Sequence, residues 1–249
     1  MSARRAEELR LAFLLLTRLP VGALRGGAPD MASSSWAWPL AGAAVGAIGA
    51  FGAAVGLSLG LPLAMAAILA LAAIVLATGA MHEDGLADLA DGFGGGRDRA
   101  RKLEIMRDSR IGSYGVIALI LAIGFRGLGI TALAENGSAT AALIGLAAAS
   151  RAVLPAALVL MPAARTDGLG RSAAGDDPVP ARVAAAIGFA CLLPLGFGTA
   201  LVAAFAVALA ATAVAALAIR QIGGQTGDVM GAMQQVAECA GWAVLVSLA

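Results

Sequence analysis

The eleven residues from His82 to Gly92 hold Glu83, Asp84, Asp88 and Asp91 and no Lys or Arg, in a chain built mainly from Ala, Leu, Gly and Val. On a helix, Asp84, Asp88 and Asp91 stand at i, i+4 and i+7, on one side of the axis and stepped by ~4.5 to 6 Å along it. Like charges at that spacing repel by a few tenths of a kcal/mol even in water. A divalent cation is the natural compensator. The stripe is therefore the leading candidate for an active site.

Further groups could assist it. His82 is rotated roughly 160° from Asp84 on an ideal helix, so a role as acid or base and a structural hydrogen bond are equally open. The stretch from Arg97 to Arg110 supplies six of the 17 basic residues, and Asp108, Arg107 and Arg110 precede Gly112 and Gly115. A carboxylate, two guanidiniums able to fork onto phosphate, and glycines that permit close backbone approach can serve an anion, or can simply cap and anchor a helix. Gly94 to Gly96 reads as a phosphate cradle or, more plainly, a flexible joint. Gly223, Gly224, Thr226 and Asp228 form a second glycine-rich turn at the entry to an apolar segment. Its backbone N–H groups can hold an anion while Asp228 binds metal or accepts a proton; a turn followed by an N-cap is the alternative. Arg126 and Arg151 are read as the charges inside apolar segments, where such residues face a polar cavity or a partner because lipid exposure is expensive.

The elements that must position these groups are membrane helices. Of 249 residues 60% are hydrophobic and 13% charged, which places the chain among all-α polytopic membrane helix bundles in a single domain, 1–249. Seven spans are predicted: 38–58, 62–80, 113–133, 139–160, 183–199, 201–219 and 232–248. The apolar run 183–219 is too long for one crossing, and Leu193 to Gly198, with Pro194 and two glycines, offers the turn. The N-terminus, 1–25, is too short in its apolar part for a signal peptide or a crossing and is cut by Arg18 and Pro20, so it is predicted to be an interfacial or re-entrant helix. Cys191 and Cys239 have no ligand-spaced neighbours and imply neither a disulfide framework nor a zinc site. A net charge of +1 without a basic face argues against nucleic acid.

Apart from Arg126 and Arg151, the basic residues fall before the first span, between Arg97 and Arg110, between Arg165 and Arg182, and at Arg220. The positive-inside tendency then puts the N-terminus and the loops 81–112, 161–182 and 220–231 in the cytoplasm, with the C-terminus outside. Every candidate motif faces one side.

Several of these stretches, in order and nearly end to end, resemble one family, the adenosylcobinamide-GDP ribazoletransferases or cobalamin synthases: Phe13 to Pro20, Pro39 to Gly42, Thr78 to Gly92, Leu103 to Gly112, Ser150-Arg151 and Gly223 to Asp228. Glu83 stands where the family is expected to carry an apolar residue, and Trp38 where it commonly has Phe. The resemblance implies a prokaryotic inner-membrane, Mg²⁺-dependent phosphotransferase that joins adenosylcobinamide-GDP to α-ribazole or α-ribazole 5′-phosphate, releasing GMP, at the end of vitamin B12 nucleotide-loop assembly. Within that reading Asp84, Asp88 and Asp91 hold metal, and Asp108 or Asp228 completes the coordination or takes the hydroxyl proton. Arg107 and Arg110 grip phosphate, Arg126 and Arg151 are open to substrate phosphate, and Gly223, Gly224 and Thr226 line the diphosphate path. Assembly as a homo-oligomer and contact with other cobalamin-pathway enzymes are both compatible with it. Two rivals remain: a CDP-alcohol-type phospholipid synthase, whose expected acidic signature is absent, and a divalent-cation transporter, which would favour carboxylates inside the spans.

Overall fold

The computed structural model describes residues 3–25, 27–165 and 177–249; residues 1–2 of the predicted interfacial segment and 166–176, with Arg171, of the loop 161–182 lie outside them. The chain is helical throughout the described part. Helix α1 (Ala3–Leu16) carries the N-terminal arginines, and the short α2 (Met31–Ser34), capped by the Asp30 carboxylate accepting from Ser33 N at 3.1 Å, leads through a 3₁₀ turn into α3 (Trp38–Ser58). There follow α4 (Leu63–Thr78), α5 (Met81–Gly95), α6 (Arg99–Ile105), α7 (Ser113–Glu135), α8 (Ala139–Ala152) and α9 (Leu154–Leu160), then α10 (Val179–Leu192), α11 (Phe197–Ile222) and α12 (Gly227–Ser247).

Among the described residues five helical stretches are long and apolar enough to cross a bilayer: 31–58, 113–135, 139–160, 197–222 and 227–247. A bilayer core needs about 20 residues of helix. The predicted span 62–80 is different. Its helix stops at Thr78, Gly79 and Ala80 both take left-handed backbone (φ 66° and 60°), and α5 leaves at 90° to α4. The bent pair counts as a sixth crossing only if both arms are taken together. The predicted span 183–199 appears as a shorter apolar helix, Val179–Leu195. The expected break in the long apolar run is present at Leu193–Leu195, where Pro194 sits in a 3₁₀ turn and Gly196 adopts φ 96°. A proline that cannot continue the ladder and a glycine free to turn explain why it falls there.

Helix packing relies on small residues. A Cβ on Gly42 would run into the carbonyl oxygen of Ala147, and one on Gly46 into that of Leu143, so these two glycines, four apart, let α3 lie directly on the backbone of α8. Without a hydrophobic drive between helices in lipid, such close approach supplies the dispersion and weak polar contact that hold the pair. The same device joins the acidic helix to the last one: a Cβ on Gly85 would sit 3.1 Å from the Cα of Gly231 and 3.0 Å from the carbonyl oxygen of Asp228. Gly42→Val and Gly46→Val are expected to lower stability by about 1–3 kcal/mol or more, because the obstacle is backbone that cannot rotate away. Thermal unfolding in detergent micelles, compared with an exposed control such as Gly124→Ala, measures it.

Candidate functional site

Helix α5 carries chemistry on two faces. One looks into the protein, where Glu83, 5% exposed, accepts from Arg126 Nη1 of α7 at 3.1 Å and from Gln235 Nε2 of α12 at 3.0 Å. The other nitrogen of the same guanidinium, Nη2, pairs with Glu238 at 3.1 Å. Gln234 Nε2 donates to the second oxygen of Glu238 at 2.6 Å and to Ser150 Oγ at 2.9 Å. Arg151, 2% exposed, donates to the carbonyl of Ala147 at 2.9 Å, and its Nε finds no partner. Two carboxylates thus face two guanidiniums in the interior, a neutral set that offsets the cost of burying each charge.

This arrangement corrects two expectations. Glu238 lies inside the last span, so the intramembrane charges are not the two arginines alone. Arg126 spends its donors on protein carboxylates and an amide, not on an open anion pocket. The extra acid at Glu83 belongs to this interior cluster and points away from the aspartate stripe. Sequence reading passed over Gln234, Gln235 and Glu238, although three consecutive-turn polar residues in an apolar span are themselves a signal of buried pairing.

The other face of α5 carries the aspartates, and the structure separates their roles. Asp91 is buried; its Oδ2 accepts from Gly112 N at 2.6 Å and its Oδ1 from Gly115 N at 2.9 Å. It therefore caps the N-terminus of α7 from a neighbouring helix, where first-turn N–H groups lack partners and the dipole favours an anion. Glycine is needed at both positions because a Cβ on either would strike the carboxylate. Asp88 is half-buried and Asp84 exposed. Across from them Asp228, in the first turn of α12, receives the Thr226 hydroxyl at 3.3 Å and faces Arg165 Nη1 at 3.5 Å. Thr226 also accepts from Val229 N at 3.2 Å, so the predicted N-cap exists.

A cavity of about 180 Å³ opens between these helices, lined by His82, Asp84 and Asp228 together with Leu154, Leu158 and Trp38. It wraps the first turn of α5, which is how His82 and Asp84 both reach it despite their angular separation. His82 is 2% exposed, and its Nδ1 has no partner. A short parallel bridge joins the segment after α9 to the turn before α12: Gln225 N donates to Pro162 O at 2.8 Å and Ala164 N to Gln225 O at 2.9 Å. Gly224 is obligatory there, since a Cβ would collide with the Pro162 carbonyl. Gly223, at φ 81°, ends α11, whose last carbonyl, Ile222 O, is bound by Arg99 Nε at 2.7 Å. Arg165, which sequence reading did not single out, also donates to Leu103 O at 3.2 Å and so ties α6 to Asp228.

Asp108 and Arg110 lie elsewhere, paired with one another at 2.6 Å on the loop before α7, with the Arg110 side chain 87% exposed. Arg107 is exposed on the same loop. The Arg110 side chain and backbone N–H, both donating to Asp108, hold its carboxyl at about 2, which makes it a weak proton acceptor at neutral pH. Gly96 closes α5 by donating to Gly92 O at 3.0 Å and accepting from Lys102 Nζ at 2.6 Å, so the Gly94 to Gly96 run is a helix end. Among the described residues no three His, Cys, Asp or Glu side chains converge closely enough to form a finished metal cage. The charged donors around the cavity, Asp84 and Asp228, are carboxylates, the donor type that suits a hard divalent ion, and the imidazole of His82 stands beside them.

Fold and cavity together define a polytopic helical membrane protein with an acid-lined polar site where its fifth helix meets its last. The sequence assigns it more narrowly: residues 8–246 match the family described as CobS, cobalamin-5-phosphate synthase, and the chain belongs to that family. Similar proteins include the adenosylcobinamide-GDP ribazoletransferases of Bradyrhizobium diazoefficiens, 50% identical across 93% of this chain and 90% of that one, and of Mesorhizobium japonicum, 47% identical across 94% and 90%. That of Azorhizobium caulinodans is 46% identical across 92% and 90%. No solved structure matches.

Removing one partner of a buried charge network leaves the others uncompensated. Arg126→Met is expected to cost about 3–5 kcal/mol, and Glu238→Gln, which keeps shape and one acceptor, distinctly less; equilibrium unfolding in mixed micelles reads both.

Proposed function

We propose that this chain is the phosphotransferase that joins adenosylcobinamide-GDP to α-ribazole or its 5′-phosphate, with GMP as the leaving group. It would act in the inner membrane, with the cavity facing the cytoplasm. The observation that carries the reading is the meeting of Asp84 and Asp228 from opposite ends of the chain in one cavity with His82, in a member of the cobalamin synthase family. The relatives' name supports the substrates, and the one-sided distribution of basic residues supports the orientation.

In this reading Asp84 and Asp88 would hold Mg²⁺, which would supply positive charge against the diphosphate and the departing GMP. Asp91 sets the start of α7 and with it the direction of the loop carrying Asp108 and Arg110; the exposed Arg110 guanidinium would have to leave Asp108 to reach guanylyl phosphate. The ribose hydroxyl of ribazole attacks the phosphorus on the cobinamide side; its new O–P bond forms as the bond to the bridging oxygen breaks, and GMP leaves with that oxygen. Asp228 is the better placed acceptor for the hydroxyl proton, since Asp108 is outside the cavity and held too acidic. Arg165 beside Asp228 offsets the repulsion among the carboxylates and offers the diphosphate a cation. At about 180 Å³ the cavity admits the reacting phosphates and the ribose, not the corrinoid, which must rest outside it. The cation-transporter alternative loses ground because the buried Glu83 and Glu238 are both paired with Arg126.

The test is GMP release from adenosylcobinamide-GDP and α-ribazole by protein in nanodiscs, with Mg²⁺ varied. Asp84→Asn and Asp228→Asn are expected to lower kcat by about 10²-fold or more, and Asp88→Asn to raise the Mg²⁺ concentration needed for half-maximal rate. Chelation abolishes turnover. Near-wild-type rates in all three variants would remove the proposal.

A further inference from the structure

A second cavity lies away from the acidic site, between α9, α10 and α11. It is a groove of about 580 Å³ that runs from Ala181 and Ile219 at one end to Leu192 and Ala204 at the other. Its walls are almost wholly apolar, and the hydroxyl of Thr212 in the wall is already spent on Ala208 O of its own helix at 2.7 Å. Nothing there asks for a polar ligand, so the occupant is hydrocarbon. The outer surfaces of α10 and α11 beside it are apolar and exposed, as at Val183, Leu201, Phe205 and Leu209, which places the groove at bilayer depth.

One end is chemically distinct. Arg182 follows Ala181 in the first turn of α10, and Arg220 follows Ile219 in the last turn of α11. Both are exposed, and neither has an ion-pair partner among the described residues. Two exposed guanidiniums, each next in sequence to a residue at one end of an apolar groove, on the side where the other basic loops gather, complement an amphiphile with an anionic head and a hydrocarbon tail. We propose that the groove is a binding site for an anionic phospholipid, with one acyl chain between α10 and α11 and its phosphate at Arg182 and Arg220.

Helix α9 gives such a lipid a route to the acidic site. Val153, Ala157 and Met161 face the groove, while Leu154 and Leu158 of the same helix line the cavity that holds Asp84 and Asp228. The chain then passes from Met161 into the bridge with Gln225 and on to Arg165, the partner of Asp228. A filled groove supports the partition from behind. That consequence for turnover rests on the phosphotransferase reading above; lipid binding itself does not, and it is measured separately.

The probe is phosphatidylglycerol, set against phosphatidylcholine with the same acyl chains, added to delipidated full-length protein in detergent and followed by native mass spectrometry. One phosphatidylglycerol per chain is expected to be retained, in preference to phosphatidylcholine. Ala185→Phe and Ala208→Phe, on opposite walls and both exposed in the structure, are expected to expel it while leaving thermal unfolding of the lipid-free protein unchanged. Arg182→Gln and Arg220→Gln are each expected to weaken retention by about fivefold. Equal retention of the two lipids, retention undiminished in both Phe variants, or a dimer that seals the groove with lipid absent would each overturn the proposal. Loss of GMP release with lipid binding intact would count only against the catalytic reading.

Discussion

The guanidinium of Arg126 holds Glu83 on one side and Glu238 on the other, and the rest of the molecule is arranged around that link. Charges at that depth are tolerated only when they are paired and hydrogen-bonded. The acids therefore cannot shift without stranding the arginine, and the arginine cannot leave without stranding both. Because Glu83 belongs to α5, the pairing fixes an otherwise polar helix deep in an apolar bundle. Its neighbour in sequence, Asp84, is thereby presented to the opposite side, where the cavity lies.

From that anchor the second constraint follows. Gly85 and Gly231 bring α5 and α12 into backbone contact, which carries Asp228 up to the aspartate face. Asp91 then secures α7 by its N-terminus, so three helices share one polar seam, with the ion network at its inner end and a helix cap at its outer end. Repulsion among Asp84, Asp88 and Asp228 is held in place by packing and by Arg165. The result is a concentration of carboxylates held in a packed frame, with Arg165 as the cation beside Asp228.

Much of this was legible in the residues. The helical spacing of Asp84, Asp88 and Asp91 described α5 correctly as a helix, because i, i+4 and i+7 is a local property, but it did not separate Asp91 at the start of α7 from Asp84 at the cavity. The turn at Pro194 and the cap at Thr226 were legible for the same reason. What escaped were pairings between distant segments. Nothing near Glu83 announces that its partners are Arg126 and Gln235, and nothing near Asp91 says that its oxygens close the first turn of α7. The 90° bend after Thr78 escaped as well: the predicted span 62–80 ends beside it, but the angle is made by the left-handed backbone at Gly79 and Ala80. Arg165, in a stretch read simply as loop, gains meaning only beside Asp228.

The separation of Glu83 and Glu238 along the chain bears on how the protein is made. As helices leave the ribosome in order, Arg126 reaches the bilayer with Glu83 already nearby, but its second counter-charge arrives only with the final helix. Until then one guanidinium in the hydrocarbon is half-satisfied, and α5, with acids on two faces, has little reason to stay seated. Docking of α12, which brings Glu238 to Arg126, therefore completes a pairing that hydrophobic insertion of the earlier helices alone leaves open.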